Sequence, residues 1–399
     1  MELTDDMIRW IEAHSKDDTS RLRFRYSDDP VARFCILQIE TRRHAAKKLP
    51  HTLQCSSFQF PTALSAEQCT SDGLAEFHAS LVSVDERILD MTAGLGIDAF
   101  HIARRKAQVT AIDIDPDVAE ALAHNAKALG LRIETICTDS VSYLHDSNRC
   151  FDTVFIDPAR RGDGGKRLFA LSDCAPDVVS LMPLLRKRCG RLIVKASPMI
   201  DIEQTLRTIP EATRLYVTGT RHECKELVII CDFRTPASDS QTQITPLTIL
   251  ADGTTHSFTF TQQQERSCTV ATNDPLPGQI LYEPYPAAMK SGAYRFLSAN
   301  YGCYKLHPNT HLYISDRIIP DFPGTPYTIE SLVPFSSKDV KQIKKHLTSG
   351  SVAVRNFVMT AEELKRKLKL KEDSQRRIIG TTTLSGKILI AVRPFREPD

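Results

Sequence analysis

The chain has 399 residues, which at roughly 150 residues per domain fits two to three domains and excludes a single small module. A hydrophobic share of 41%, a charged share of 25% and no run of 18 or more apolar residues exclude an integral membrane protein built on helices. With 51 Lys and Arg against 49 Asp and Glu the net charge is +2, too balanced for a surface that is basic throughout.

The opening segment, MELTDDMIRWIEAHSKDD, is acidic and polar, without the basic-then-apolar order of a secretory signal, so a cytoplasmic protein is expected. Residues 1–70 read as a helical N-terminal region: Met7, Ile8 and Ile11 have helical spacing, and Phe34, Ile36, Leu37 and Ile39 precede a basic run. Ser65 and Gln68 have the spacing of a helix cap. From Ile88 the rhythm changes to short apolar strands, ILDMTA, VTAIDI, FDTVFID, RLIVKAS and LVIICDF. Between them the stretches Asp98 to Lys106, Pro116 to Leu129, Cys174 to Leu185 and Ile202 to Ile209 have the length of crossover helices. A doubly wound, Rossmann-like α/β domain over residues 71–235 follows. Residues 235–246, TPASDSQTQITP, have a linker composition. Small α+β domains are expected beyond it, over 247–330, ferredoxin-like or of another type, and 331–399.

The last of these carries the charge that the whole-chain average conceals. From Lys338 to Arg396 there are 15 Lys and Arg against 5 Asp and Glu. A basic helix, Ala361 to Leu370, and a hairpin in which IIGTTT and KILIAV flank LSG are predicted within it. Lys365 and Lys367 are candidate contacts to a polyanion, since phosphate backbones are gripped by clustered Lys and Arg. Tyr301, Tyr304 and Tyr313 are candidates either for stacking bases or for the core.

The eleven cysteines never form a Cys-x-x-Cys pair, so neither a disulfide framework nor a thiolate metal site is expected. The sharpest chemical signal is the string from Ile88 to Phe100, an apolar strand, the turn Gly94-Leu95-Gly96 and an apolar helix. Glycines there let the backbone approach a ligand at the sheet's carboxyl edge. With Ala99 as third small residue, the string alone leaves dinucleotides and other nucleosides open. Asp90, just before the turn, would repel a pyrophosphate and attract an ammonium group, which favours S-adenosylmethionine over a hydride-carrying dinucleotide. Asp113 ends the next strand, where a carboxylate can accept from ribose hydroxyls, and Asp139 follows the strand after it, where it can accept from an adenine amino group. Asp157, Pro158, Arg160 and Arg161 stand at the end of a central strand before a glycine-rich loop with Lys166; the two arginines and the lysine fit an anionic substrate. If the strands lie side by side, Asp157, Lys195 and Glu223 or Glu226 converge, and a lysine there could take a proton from a hydroxyl or amine. Cys224 lies near enough to raise the question of covalent catalysis, but one cysteine at a strand start is more often inert.

DMTAGLGIDAF, AIDIDP, TDS and FIDPARRG resemble motifs one to four of class I S-adenosylmethionine-dependent methyltransferases. Together with EQCTSDGLAEF, HECKEL, LYEPYPAAMKSGAY and NFVMTAEELKRKLKL, they make most of the chain similar to a bacterial group of such enzymes with a C-terminal THUMP-like domain. The resemblance implies Asp90, Gly94 and Gly96 around the methionine part, with Ala93 and Asp98 beside the turn, Asp113 on the ribose and Asp139 near the adenine. Asp157 and Pro158 would face the transferable methyl. It also implies RNA as substrate, because THUMP-type domains occur in RNA-modifying enzymes. The fourth motif has Ala159 and Arg160 where amino-nitrogen methyltransferases have a second proline and an aromatic residue, so a base nitrogen and a ribose hydroxyl both stay open as acceptors. The competing expectations are a small-molecule methyltransferase and a non-catalytic RNA-binding protein on a degenerate core. The oligomeric state is left open.

Overall fold

A computed structural model describes residues 1–160, 171–234, 242–336, 344, 347–371, 373 and 375–396. The contacts divide the chain into two units, Met1–Thr213 with Val228–Asp239, and Arg214–Leu227 with Ser240–Asp399.

The first unit begins with helices α1 (Asp5–Ala13), α2 (Thr19–Arg25), α3 (Pro30–Ala45), α4 (Ala63–Gln68) and α5 (Asp72–Ser80). Leu3, Ile11, Leu22, Cys35, Ile36 and Ile39 form their own apolar cluster. The side-chain amide of Gln38 is bonded to both backbone groups of Phe60, and that of Asn125 to both of Gln59, so the segment between α3 and α4 is held as a strand would be. The cap of α4 is Thr62, whose hydroxyl accepts from the Ser65 amide; Ser65 itself lies inside the helix. This corrects the expectation for Ser65.

The sheet then alternates with helices: β1 (Arg87–Asp90), α6 (Ile97–Arg104), β2 (Gln108–Asp113), α7 (Pro116–Ala128), β3 (Ile133–Cys137), α8 (Ser140–Asp146), β4 (Phe151–Ile156), the short pair β5 (Ala159–Arg160) and β6 (Cys174–Ala175), α9 (Val178–Arg188), β7 (Cys189–Ala196) and α10 (Ile202–Thr208). Strands β3, β2, β1, β4 and β7 pair in that order, all parallel. The apolar residues of β1, β2, β4 and β7 are covered on both faces, as helical crossovers require, while the edge strand β3 is only partly buried. The helix predicted from Cys174 starts four residues later. Pro176 disfavours helical backbone at the residue before it, and Asp177 caps α9 through the amides of Val179 and Ser180.

Asp72, at the start of α5, is buried and accepts from the amides of His51 and Thr52, the Thr52 hydroxyl and His101. Burial raises its pKa, but those partners outweigh it and leave the carboxyl lowered to about 2. Because the folded value lies below the unfolded one, the stabilisation is complete above about pH 4 and lost as pH falls through about 2. Asp72→Asn is therefore expected to cost about 2 kcal/mol near neutral pH and progressively less in acid, read as Tm against pH.

Across the division between the units run β8 (Ala212–Gly219) and β9 (Cys224–Asp232). Beyond them lie β10 (Gln243–Ile249), β11 (Thr255–Ser257), α11 (Gln262–Ser267), β12 (Ile280–Pro284), α12 (Pro286–Ser291), α13 (Tyr294–Tyr301), β13 (Tyr304–His307), β14 (Thr310–Ser315), β15 (Gly324–Pro334), β16 (Ser351–Arg355), α14 (Ala361–Leu368), β17 (Arg377–Thr383) and β18 (Gly386–Pro394). In the second unit, seven of these strands form one sheet in the order β13-β14-β12-β15-β18-β17-β16. One cluster packs Leu281, Leu306, Leu312, Ile314, Ile379 and Ile390; another packs Leu364 and Leu368 of α14 with Leu347, Ile378 and Leu389. The β17–β18 hairpin turns at Thr383↔Gly386. Helix α14 ends at Leu368, two residues short of the expected end, because Lys369 turns left-handed at φ 54°. Tyr313 is buried with its hydroxyl donating to the Tyr294 carbonyl, Tyr301 packs on Phe258 and Phe322, and Tyr304 is exposed.

Candidate active site

The site lies on the first unit, at the carboxyl edge of its parallel strands. The β1–α6 turn is stitched to both neighbours: the Met91 amide donates to the Phe155 carbonyl of β4, and the Ala93 amide to the Ile112 carbonyl of β2. Ala93 is thus held by its backbone, and its carbonyl accepts from Gly96. Gly94 (φ 54°) and Gly96 (φ 90°) both take left-handed backbone. A Cβ at Gly94 would meet nothing within 4 Å, which leaves a backbone cradle, whereas one at Gly96 would strike Leu122 and Phe100. The Gly94 amide donates to Asp113 Oδ2 (2.9 Å) and the Asp115 amide to Asp113 Oδ1 (2.9 Å), so the carboxylate ending β2 is fixed in orientation. Each oxygen keeps a further lone pair for hydroxyls. Ile114, 69% exposed, presents an apolar face beside it that sequence reasoning missed. Asp139 caps α8, its Oδ2 accepting from the amide and hydroxyl of Ser142; these bonds lower its pKa.

Asp90, the last residue of β1, is 1% exposed. One oxygen accepts from the Thr92 amide at 3.2 Å, and the other has no hydrogen-bond partner among the described residues. Burial, then repulsion by Asp98, pushes its pKa up to about 8.

Behind it stands a buried polar cluster. Lys195 of β7, 5% exposed, donates through Nζ to Asp157 Oδ2 (2.7 Å), Thr70 Oγ1 (2.8 Å) and Asp98 Oδ2 (3.2 Å). Thr70 donates to Asp98 Oδ2 (2.6 Å), and His78 Nδ1 lies 2.7 Å from Asp98 Oδ1. Burial works against ionisation of Asp98, but Lys195, His78 and Thr70 outweigh it and hold its carboxyl well below the usual range. Asp98, expected on the cofactor, is therefore occupied inside the protein, with both oxygens engaged. Asp157 reaches outward: its side chain is 46% exposed, its Oδ1 has no hydrogen-bond partner among the described residues, and its amide donates to Thr92 Oγ1 at 2.7 Å. Pro158 after it is buried.

The structure thus joins Asp157 and Lys195 directly. Glu223 belongs to the second unit, where it is exposed and pairs with Lys225, and Glu226 there accepts from Thr218. Cys224 is half-buried, and burial pushes its thiol up to about 11, far from a thiolate nucleophile. Arg161, Lys166 and the side chain of Arg160 lie outside the described residues. On α14, Lys365 and Lys367 are partly covered, Lys367 lying 5.5 Å above the Phe335 ring, while Arg366 and Lys369 are the exposed cations. Among the described residues, no group of three or more His, Cys, Asp or Glu is placed to hold a metal, and no helix is long and apolar enough to cross a membrane. Thr70, His78 and Thr92 were not legible as site residues; the one trace of them is helical spacing of Asp72, Ala75, His78 and Ala79, which marks a buried face without saying what it meets.

Three family models match the chain: a methyltransferase domain over residues 88–159, a ferredoxin-like domain over 281–323 and a THUMP domain-like region over 324–394. The crystal structure of a proposed methyltransferase from Porphyromonas gingivalis W83 is 29% identical, covers 99% of this chain and 100% of its own, and superposes with a TM-score of 0.88. The ribosomal RNA small subunit methyltransferase J of Coxiella burnetii is 30% identical over 126 residues, 27% of this chain and 49% of the relative. The tRNA (uracil(54)-C(5))-methyltransferase of Pyrococcus horikoshii is 29% identical over 131 residues, 33% of this chain and 31% of the relative. The chain spans half or less of the length of these two curated relatives.

Proposed function

Because the chain belongs to the class I methyltransferases that carry a C-terminal THUMP-like domain, we propose that it transfers a methyl group from S-adenosylmethionine to RNA. The observation that carries this reading is the pairing, on one sheet edge, of a nucleoside cradle with an outward carboxylate held by a buried lysine. The likeness to an rRNA and a tRNA methyltransferase supports RNA as the acceptor class. The bound cofactor supplies an electrophilic methyl group on a sulfonium centre. Asp90 takes its ammonium group, the Gly94 cradle admits the methionine chain, Asp113 accepts from the ribose hydroxyls and Ile114 covers one face of the base. Asp139 accepts from the adenine amino group. Lys195 fixes Asp157 through Oδ2, so that Oδ1 would accept the proton which the acceptor nitrogen or hydroxyl loses as it bonds to the methyl carbon, the carbon–sulfur bond breaking to leave the neutral thioether. Thr70, Asp98 and His78 position the lysine. Exposed Arg366 and Lys369 hold RNA phosphates.

The test is tritium transfer from labelled cofactor to total RNA, followed by digestion to nucleosides, which identifies the product. Label that stays out of RNA, or enters a metabolite extract instead, overturns the reading. Asp90 supplies a second expectation. With its pKa raised to about 8, it is protonated at pH 7, and an incoming ammonium group expels the proton. Calorimetry in two buffers of different ionisation enthalpy is expected to show up to about one proton released at pH 7, a release that declines above about pH 8 and vanishes in Asp90→Asn.

A further inference from the structure

In the second unit, at the end of the seven-stranded sheet where β15, β16, β17 and β18 meet, lies a cavity of about 290 Å³. It is lined by Arg221, Arg376, Arg377, Ser351, Tyr327 and Phe395, with Pro326 and Pro394 beside them. No carboxylate lines it among the described residues. Arg377 is held in place, donating to the Tyr327 hydroxyl (3.1 Å) and to Glu283 (3.1 Å). Arg376 donates to Glu330 through Nε (2.8 Å), which leaves its two terminal nitrogens for a ligand. Arg221, in the β8–β9 turn, has no carboxylate partner among the described residues. Glu283 is also paired with Arg355, so Arg355, Arg376 and Arg377 share two glutamates while Arg221 has none, and among these six residues positive charge exceeds negative by two.

Arginine forks facing a cavity without carboxylates recognise phosphate. An excess of two matches a phosphomonoester, which carries nearly two charges at neutral pH, better than a singly charged diester. Phe395 and the two prolines give an apolar wall on which a base can lie. The volume sits at the lower end of ordinary ligand sites, enough for one nucleotide and too small for a duplex.

We infer that this cavity binds the terminal phosphate and base of a single nucleoside 5′-monophosphate, either free or as the 5′ end of an RNA strand. Only the second source rests on the RNA reading given above. Neither the cofactor cradle nor Asp157 takes part.

The test titrates the full chain, saturated with S-adenosylhomocysteine to block the cofactor cradle, with uridine 5′-monophosphate, uridine, and a short oligouridine with and without a 5′-phosphate. The 5′-monophosphate is expected to bind at least about tenfold more tightly than the nucleoside, and Arg221→Ala and Arg376→Ala each to weaken it by about tenfold or more. Arg21→Ala, a loss of exposed charge on the first unit, leaves it unchanged. Affinity falls below about pH 6, where the phosphate loses its second charge while arginine keeps its own. Binding of free nucleotide and phosphorylated strand alike identifies the phosphate as the ligand; binding of the phosphorylated strand alone identifies an RNA end. Equal affinity for nucleotide and nucleoside, no binding of either phosphorylated probe, or indifference to both arginine variants overturns the inference. Melting curves of the variants establish that they fold. Failure of methyl transfer to RNA with nucleotide binding intact would count against the proposed function and leave the cavity assignment standing.

Discussion

Asp157→Ala is expected to lower methyl transfer by about 10²- to 10⁴-fold, the usual contribution of a positioned proton acceptor. The side chain is half-exposed and its main protein partner is Lys195, so the fold should survive, with a Tm close to that of the parent. Cofactor affinity should change far less than turnover, because the proposed cradle consists of Asp90, Gly94 and Asp113. Asp157→Asn sharpens the result. Asparagine keeps an oxygen that can accept from Lys195 but cannot take a proton at neutral pH, so it should be as inactive as alanine. If Asp157→Asn retains most of the turnover, Asp157 only positions the acceptor and the proton leaves by another route. Loss of cofactor binding in parallel with turnover would instead place Asp157 in the cradle.

The second large effect concerns stability. Lys195→Met removes the cation that Asp98 and Asp157 share, and is expected to cost about 3–5 kcal/mol, because Asp98 is left buried with its charge less compensated. Denaturant unfolding measures it. Asp98→Asn in the Lys195→Met background should restore part of the loss, since the two residues are in contact and their effects are not additive. The pH dependence has a definite sign. The Asp98 carboxyl is held below its unfolded value, so its stabilising contribution is present above the ordinary carboxylate range and lost in strong acid. The deficit of the lysine variant is therefore expected at neutral pH and to shrink as acid protonates Asp98. A loss below about 0.5 kcal/mol at neutral pH would show that His78 and Thr70 alone suffice for Asp98, and that Lys195 is not what holds the cluster together.

Much of the architecture was legible because it rests on local rules. The strand-and-helix rhythm from Ile88 onward, the glycine turn at Gly94 and Gly96 and the β17–β18 hairpin each follow from residues close together in the chain. The carboxylates that end successive parallel strands, Asp90, Asp113 and Asp157, share one edge for the same reason: parallel order puts every carboxyl end on the same side. Local errors had local causes, such as Pro176 delaying α9 and Lys369 stopping α14.

Tertiary structure decided which of these polar groups face a ligand and which face each other. Asp98 has the spacing of a cofactor contact, yet α5 and the segment before it bring His78 and Thr70 onto its carboxylate, while β7 delivers Lys195 from nearly a hundred residues away. Periodicity marks a buried helix face; it does not say whose charge that face will meet. The same holds for the arginines of the second unit. The sequence by itself determined that the C-terminal region is basic, and Arg376 and Arg377 stood within a charge run like any other. Only the pairing of β15, β17 and β18, with Arg221 brought in from the β8–β9 turn, arranged them around one cavity, because charge is set by composition whereas direction is set by the fold.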